Sequence, residues 1–174
     1  MKKKLFFSLM TGLFLCAFTL LLGGCSEGTT ATDYASQVVT LYGNYSDKFN
    51  EITEALTRGQ SVTAVSLCNE AAEIIDEIDA LEPPIAFKDE HKVISECCKK
   101  EKEKLDLEKE YINISKEDGA LTDEQQKRVD EITERLSDLS LQSGSFYNAV
   151  DKIAGKVLNT QTEAANNQNM VGDI

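Results

Sequence analysis

Few residues of this 174-residue chain can do chemistry: five cysteines, Cys16, Cys25, Cys68, Cys97 and Cys98, and one histidine, His91. A structural zinc centre takes four Cys or His ligands at about 2.0–2.3 Å. On a helix, the residues one turn either side of His91 are Phe87 and Ser95, neither a useful ligand. Cys98 lies two turns on, about 10 Å along the axis, so no metal site is expected. The sequence has no nucleophile elbow, no phosphate loop and no Cys-x-x-Cys pair. It is therefore read as a non-enzyme without a cofactor. Two readings of Cys68, Cys97 and Cys98 are open: a disulfide from Cys68 to Cys97 or Cys98, or three reduced, small apolar core residues.

The elements that position these residues are helical. Trp is absent and only two prolines, Pro83 and Pro84, interrupt the chain. There are 30 acidic against 18 basic residues, a formal net charge of −12. That balance argues against nucleic acid as a partner, because phosphate binding needs a basic face.

The first 25 residues form a recognisable series. Lys2, Lys3 and Lys4 precede an uncharged, mostly apolar run from Leu5 to Leu22, the layout of a secretory signal. Leu22-Gly23-Gly24-Cys25 then resembles the lipobox of bacterial lipoproteins, a branched apolar residue and two small ones before an obligatory Cys. The resemblance covers residues 1–25 only. It implies cleavage after Gly24, a diacylglyceryl group on the Cys25 thiol and an extracytoplasmic domain held on a bacterial membrane. Two or more acyl chains, at about 0.8 kcal/mol per buried CH₂, anchor stably where one does not. The competing reading is an uncleaved anchor helix in which Cys25 is incidental. Cleavage would remove three of the 18 basic residues and none of the 30 acidic ones, taking the formal charge from −12 to −15. Residues 25–32 then make a short polar tether, 33–158 the domain, and 159–174 a disordered tail rich in Asn and Gln.

Within 33–158, apolar residues recur at steps of three and four, which predicts helices. The seams are Ala35 to Leu56, Ala64 to Leu81, Phe87 to Ile112, and Val129 to Val157. Gly59 is the expected stop of the first helix and Ser61 the cap of the second; Thr122 and Gln125 read as a capping box. Seam residues mirror each other about Gly59 (Tyr45 with Ile74) and about Gly119 (Leu105 with Ile132). This predicts an all-α, antiparallel up-down-up-down four-helix bundle. Extending the mirror across Pro83-Pro84 sets Cys68 opposite Cys97 or Cys98, in a layer with Ile52 and Leu139.

The same layers place His91 near Tyr45 and Phe146, so a buried His91 hydrogen-bonded to Tyr45 is expected. Ser143-Gly144-Ser145 interrupts the fourth seam with small residues, next to the layer of Phe49. That leaves either a gap filled by Phe49 or a cavity for an apolar ligand. The alternating charges from Lys99 to Lys104 read as a solvated helix face. Glu96 with Lys100, Glu124 with Arg128 and Glu131 with Arg135 have the spacing of pairs within a helix. Asp76, Glu77, Asp79 and Glu82 gather with Asp89 and Glu90 at the double-proline end, without the spacing of a calcium loop. The leading functional expectation is a membrane-tethered helical interaction module with an envelope protein as partner. The alternative is a carrier or sensor of a small apolar molecule, lined by Tyr45, His91, Ser143 and Gly144.

Overall fold

The structure, a computed structural model, describes residues 26–116, 120–142 and 144–171; side chains are described for 31–116, 120–141 and 144–159. The described residues are all α, as expected. Helix α1 spans Ser26–Thr57, α2 Ser61–Asp79, α3 Lys88–Ser115, α4 Asp123–Gln142 and α5 Gly144–Val171, with a 3-10 turn over Ile85–Phe87 before α3. The fourth seam is thus carried by α4 and α5, on either side of Ser143, which lies outside the described residues, as does Cys25.

Each boundary has a local cause. At the end of α1, Gly59 has φ +70; its N–H donates to the Leu56 carbonyl at 3.0 Å while Gln60 N–H reaches back to Ala55 at 2.9 Å. This is the two-bond Schellman closure that favours glycine. An added Cβ at Gly59 meets no atom within 4 Å, so Gly59→Ala should cost only the left-handed backbone strain, about 1–2 kcal/mol. Urea unfolding followed by circular dichroism checks this. Ser61 begins α2 rather than capping it, because Gln60 takes the cap position without a side-chain bond. The capping box forms as expected: Thr122 N–H donates to Gln125 Oε1 at 2.9 Å, and Gln125 N–H donates to Thr122 Oγ1 at 3.2 Å.

Two expected boundaries move. The chain is helical from Ser26, within the segment read as a tether, because no proline interrupts the run to Thr57. Helix α5 continues to Val171, through most of the segment read as a disordered tail; no glycine or proline falls between Lys156 and Val171 to stop it.

The packing follows the charges between helices. Lys48 meets Glu70 at 2.9 Å, so α1 and α2 run antiparallel across the Gly59 turn. Arg128 meets Glu110 at 2.7 Å and Arg135 meets Glu103 at 2.6 Å, fixing α3 and α4 antiparallel. Both registers are the ones the mirrored seams predict. Lys102 meets Asp76 at 2.6 Å and Lys109 meets Asn69 at 3.1 Å, so α2 and α3 are also antiparallel, but in a shifted register. The core gathers Val38, Ile52, Cys68, Ile75, Ile78, Ile94, Leu105, Phe146 and Ile153 around the centre of these helices. Helix α5 packs on both α1 and α3, whereas α4 packs closely on α3. Ile132 and Leu139 of α4 are buried yet fall outside the contiguous core cluster. Among the described residues, no helix is long and apolar enough to cross a membrane.

Candidate functional site

The most unusual chemistry in the fold lies along one face of α3. Its seam runs Phe87, His91, Ile94, Cys98, Glu101, Leu105, Glu108 and Ile112, at unbroken steps of four and three. Four of those eight positions are titratable: His91, Cys98, Glu101 and Glu108. Burying a charge is costly unless it is paired and hydrogen-bonded, so the partners decide what each position does.

At the first polar layer, His91 Nδ1 and the Tyr34 hydroxyl share a 2.7 Å hydrogen bond, and the Tyr34 ring stacks on Phe87 with centroids 5.5 Å apart. Burial pushes the Tyr34 hydroxyl up to about 12, with Cys98 and Glu90 adding to it. Three turns further along α1, Tyr45 donates instead to Glu101 Oε2 at 2.5 Å, across a buried contact. Lys104 lies 3.7 Å from the same carboxylate and covers the Phe49 ring, with Nζ 4.1 Å from the centroid. Glu101 is only 5 % exposed, and the Lys104 side chain 12 %. Burial first, and then the Glu101 carboxylate, hold the Tyr45 hydroxyl far above its ordinary value. Two turns beyond Glu101, Glu108 Oε2 is buried without a hydrogen-bond partner among the described residues. Burial raises the Glu108 carboxyl above the ordinary range; Lys104 opposes the rise and Glu101 adds to it.

The layer expected from Tyr45, His91, Ser143 and Gly144 is not assembled. Tyr45 turns to Glu101 and His91 to Tyr34, because α1 and α3 run parallel with Tyr34 level with His91. Gly144 is exposed, with open space where a Cβ would stand, and Ser143 lies outside the described residues. Phe49 is covered by Lys104 and does not fill a small-residue gap.

The expected disulfide register is also corrected. Cys68, Cys97 and Cys98 are buried, free thiols. With Lys109 beside Asn69, Cys68 comes level with a point about twelve residues beyond Cys98. At 1.5 Å per residue that separates them by roughly 18 Å, against the 7 Å limit between Cα atoms of a disulfide. The layer with Ile52 and Cys68 contains Glu108 where a cysteine was expected. Burial raises the Cys68 thiol to about 11, and the Glu108 charge contributes.

The surface charges have different partners from those expected. Arg128 and Arg135 reach across to α3 in forked pairs with Glu110 and Glu103, in place of the expected pairs with Glu124 and Glu131 one turn back. The run from Lys99 to Lys104 is not uniformly solvated, since Glu101 and Lys104 turn inward. The acidic end is divided among separate partners: Asp76 with Lys102, Asp79 with the Ser95 hydroxyl, and Glu90 with Lys156 at 2.7 Å and Lys152 at 3.3 Å. The Lys156 hydrogen bond holds the Glu90 carboxyl below its ordinary range. No group of three His, Cys, Asp or Glu side chains among the described residues is arranged to hold a metal ion.

Sequence reasoning passed over Glu101 and Glu108. The signal was present in the spacing, since steps of three and four from Phe87 land on both. A residue-type filter that admits only apolar residues to the seam skips them.

No protein-family model, curated protein or solved structure matches this chain. The fold defines an all-α protein in which α1 packs on α2, α2 on α3, α3 on both α4 and α5, and α5 also on α1. Its particular feature is the pair of carboxylates on the seam of α3, Glu101 buried and Glu108 partly buried with its Oε2 enclosed.

Proposed function

We propose that the chain is a bacterial lipoprotein whose helices form an up-down-up-down four-helix bundle, acting as a non-enzymatic interaction module outside the cytoplasmic membrane. The observation that carries this reading is the sequence from Lys2 to Cys25: basic start, uncharged apolar run, then Leu22-Gly23-Gly24-Cys25. In this reading residues 1–24 are the signal peptide, Cys25 carries the lipid, and an envelope protein is the partner. The antiparallel pairs α1/α2, α2/α3 and α3/α4 support the bundle arrangement. Helix α1 begins at Ser26, so the anchor would hold the domain close to the lipid surface. The acidic exterior suits a partner with a basic face and disfavours nucleic acid.

Metabolic labelling with a fatty-acid analogue tests the anchor. Wild-type protein should take up label and fractionate with membranes; Cys25→Ala should lose the label completely. Label persisting in Cys25→Ala would sink the assignment. Crosslinking in cells and capture of the anchored protein should then return a reproducible envelope partner that the Cys25→Ala form does not capture.

A further inference from the structure

The flank of α1 turned away from α2 is only partly covered. One residue after each member of the core seam comes a second run at the same steps of three and four: Ser36, Val39, Gly43, Ser46, Asn50, Thr53 and Thr57. It lies about 100° around the helix from the seam, on the side opposite Lys48, which reaches across to α2. None of its members is charged, in a chain with 30 acidic and 18 basic residues. The nearest charges along α1, Asp47 and Glu54, stand at its rim. Ser36 to Ser46 lie on the side of α5 and are partly buried, whereas Asn50, Thr53 and Thr57 are exposed. Helix α5 begins at Gly144 and meets α1 at Tyr42 through Phe146, and α4 packs on α3.

The exposed part is less polar than its residue types suggest. Thr53 Oγ1 donates to the Phe49 carbonyl at 3.1 Å and Thr57 Oγ1 to the Thr53 carbonyl at 2.8 Å. Both hydroxyls are satisfied within their own helix, so covering them strands no donor. Leu56, 42 % exposed, and Tyr147, 58 % exposed, flank the run. Gly43 is a separate sign. It sits in mid-helix, where glycine is unfavourable relative to alanine, and an added Cβ there meets no atom within 4 Å. The packing within the chain gives no reason for a glycine at this point; the close approach of another backbone does.

We propose that this flank of α1 is the docking face for a second copy of the chain, α1 against α1, in a two-fold dimer. Charge selects that occupant. A chain of net charge −12 repels its own copy wherever the two present carboxylates, and a face without charge removes that repulsion. A partner with a basic face gains nothing here and is drawn to the acidic faces instead. A two-fold contact is self-complementary: an antiparallel crossing beside Ser46 sets the Gly43 notch of each copy against Asn50 of the other. The contact goes beyond the interaction-module reading and needs neither lipid on Cys25 nor an envelope partner.

Sedimentation equilibrium of the purified full chain in density-matched detergent, over a dilution series, tests the proposal. Wild type should show a concentration-dependent monomer–dimer equilibrium, and Cys25→Ala the same one. Gly43→Leu fills the notch at a position with open space in the monomer. It should keep the helix content and thermal midpoint while association weakens at least about tenfold. Asn50→Glu, at an exposed position, should weaken it likewise by returning like charge to the face. Gly155→Leu has equally open space but lies on the side of α5 away from Phe146, and should leave association unchanged. Raising the salt concentration should tighten the dimer by screening the repulsion between acidic copies. A wild-type chain that stays monomeric throughout the series would overturn the proposal, as would a dimer that Gly43→Leu and Asn50→Glu leave intact or that salt disperses.

Discussion

Replacing Phe146 with alanine should lower the unfolding free energy by about 3–5 kcal/mol, the usual cost of deleting a buried aromatic ring. Phe146 is 1 % exposed and sits edge-on to Tyr42 with centroids 5.0 Å apart, and 6.2 Å from the Tyr45 ring. Those two tyrosines belong to α1, so one ring joins the start of α5 to the first helix. Domains of this size have total stabilities of about 5–15 kcal/mol, so the loss is about a fifth of the total or more. The measurement is a urea titration followed by circular dichroism, in which the midpoint should fall while the slope is kept. The neighbouring Tyr147 supplies the contrast. It is 58 % exposed, although its ring lies 6.5 Å from Tyr42. Tyr147→Ala should therefore stay within about 0.5 kcal/mol of wild type. Equal effects of the two substitutions would mean that α5 does not dock through Phe146.

The parts of the fold that the sequence made legible are those closed by tight turns. Gly59 and the Thr122–Gln125 box end or begin helices by local backbone chemistry, and a local signal can be read locally. With the turn placed, mirrored seams predict the partner across it, and Lys48–Glu70 and Arg135–Glu103 lie in the predicted registers. The same mirror fails at Pro83-Pro84 because the connection there is not a tight turn. Helix α2 stops at Asp79 and α3 starts at Lys88, with a 3-10 turn over Ile85–Phe87 between them. The first turns of α3 project past α2 and meet Tyr34 of α1 instead. That slip moves Cys68 away from Cys98 and brings it to the layer of Glu108. Nothing in the spacing of residues 80–87 states how far a connector of this kind advances. The buried carboxylates were hidden for a different reason. Charge is a sound sign of exposure on average, and Glu101 departs from it because Tyr45 and Lys104 come from positions that only the folded packing brings together.

That packing makes the Tyr45–Glu101 contact the second large test. Tyr45→Phe removes one oxygen and leaves the ring in place, so cavity effects are absent and the change isolates the hydroxyl donor. A hydrogen bond to a charged group is worth about 1.5–3 kcal/mol, and a loss in that range is expected near neutral pH. Glu101→Gln should also destabilise, by disturbing the pairing with Lys104. In the double variant the two losses should fall short of their sum by about 1 kcal/mol or more, as for residues in direct contact. Additive losses would mean that the hydroxyl and the carboxylate contribute independently. Tyr34→Phe serves as the comparison, since its partner on the same seam is the His91 imidazole in place of a carboxylate. Its loss should be smaller, near the 0.5–1.5 kcal/mol of an ordinary hydrogen bond. A ranking in which Tyr45→Phe costs more than Tyr34→Phe would place the greater energetic weight of the α3 seam on its carboxylate layer. The reverse ranking would move that weight to the histidine layer beside Phe87.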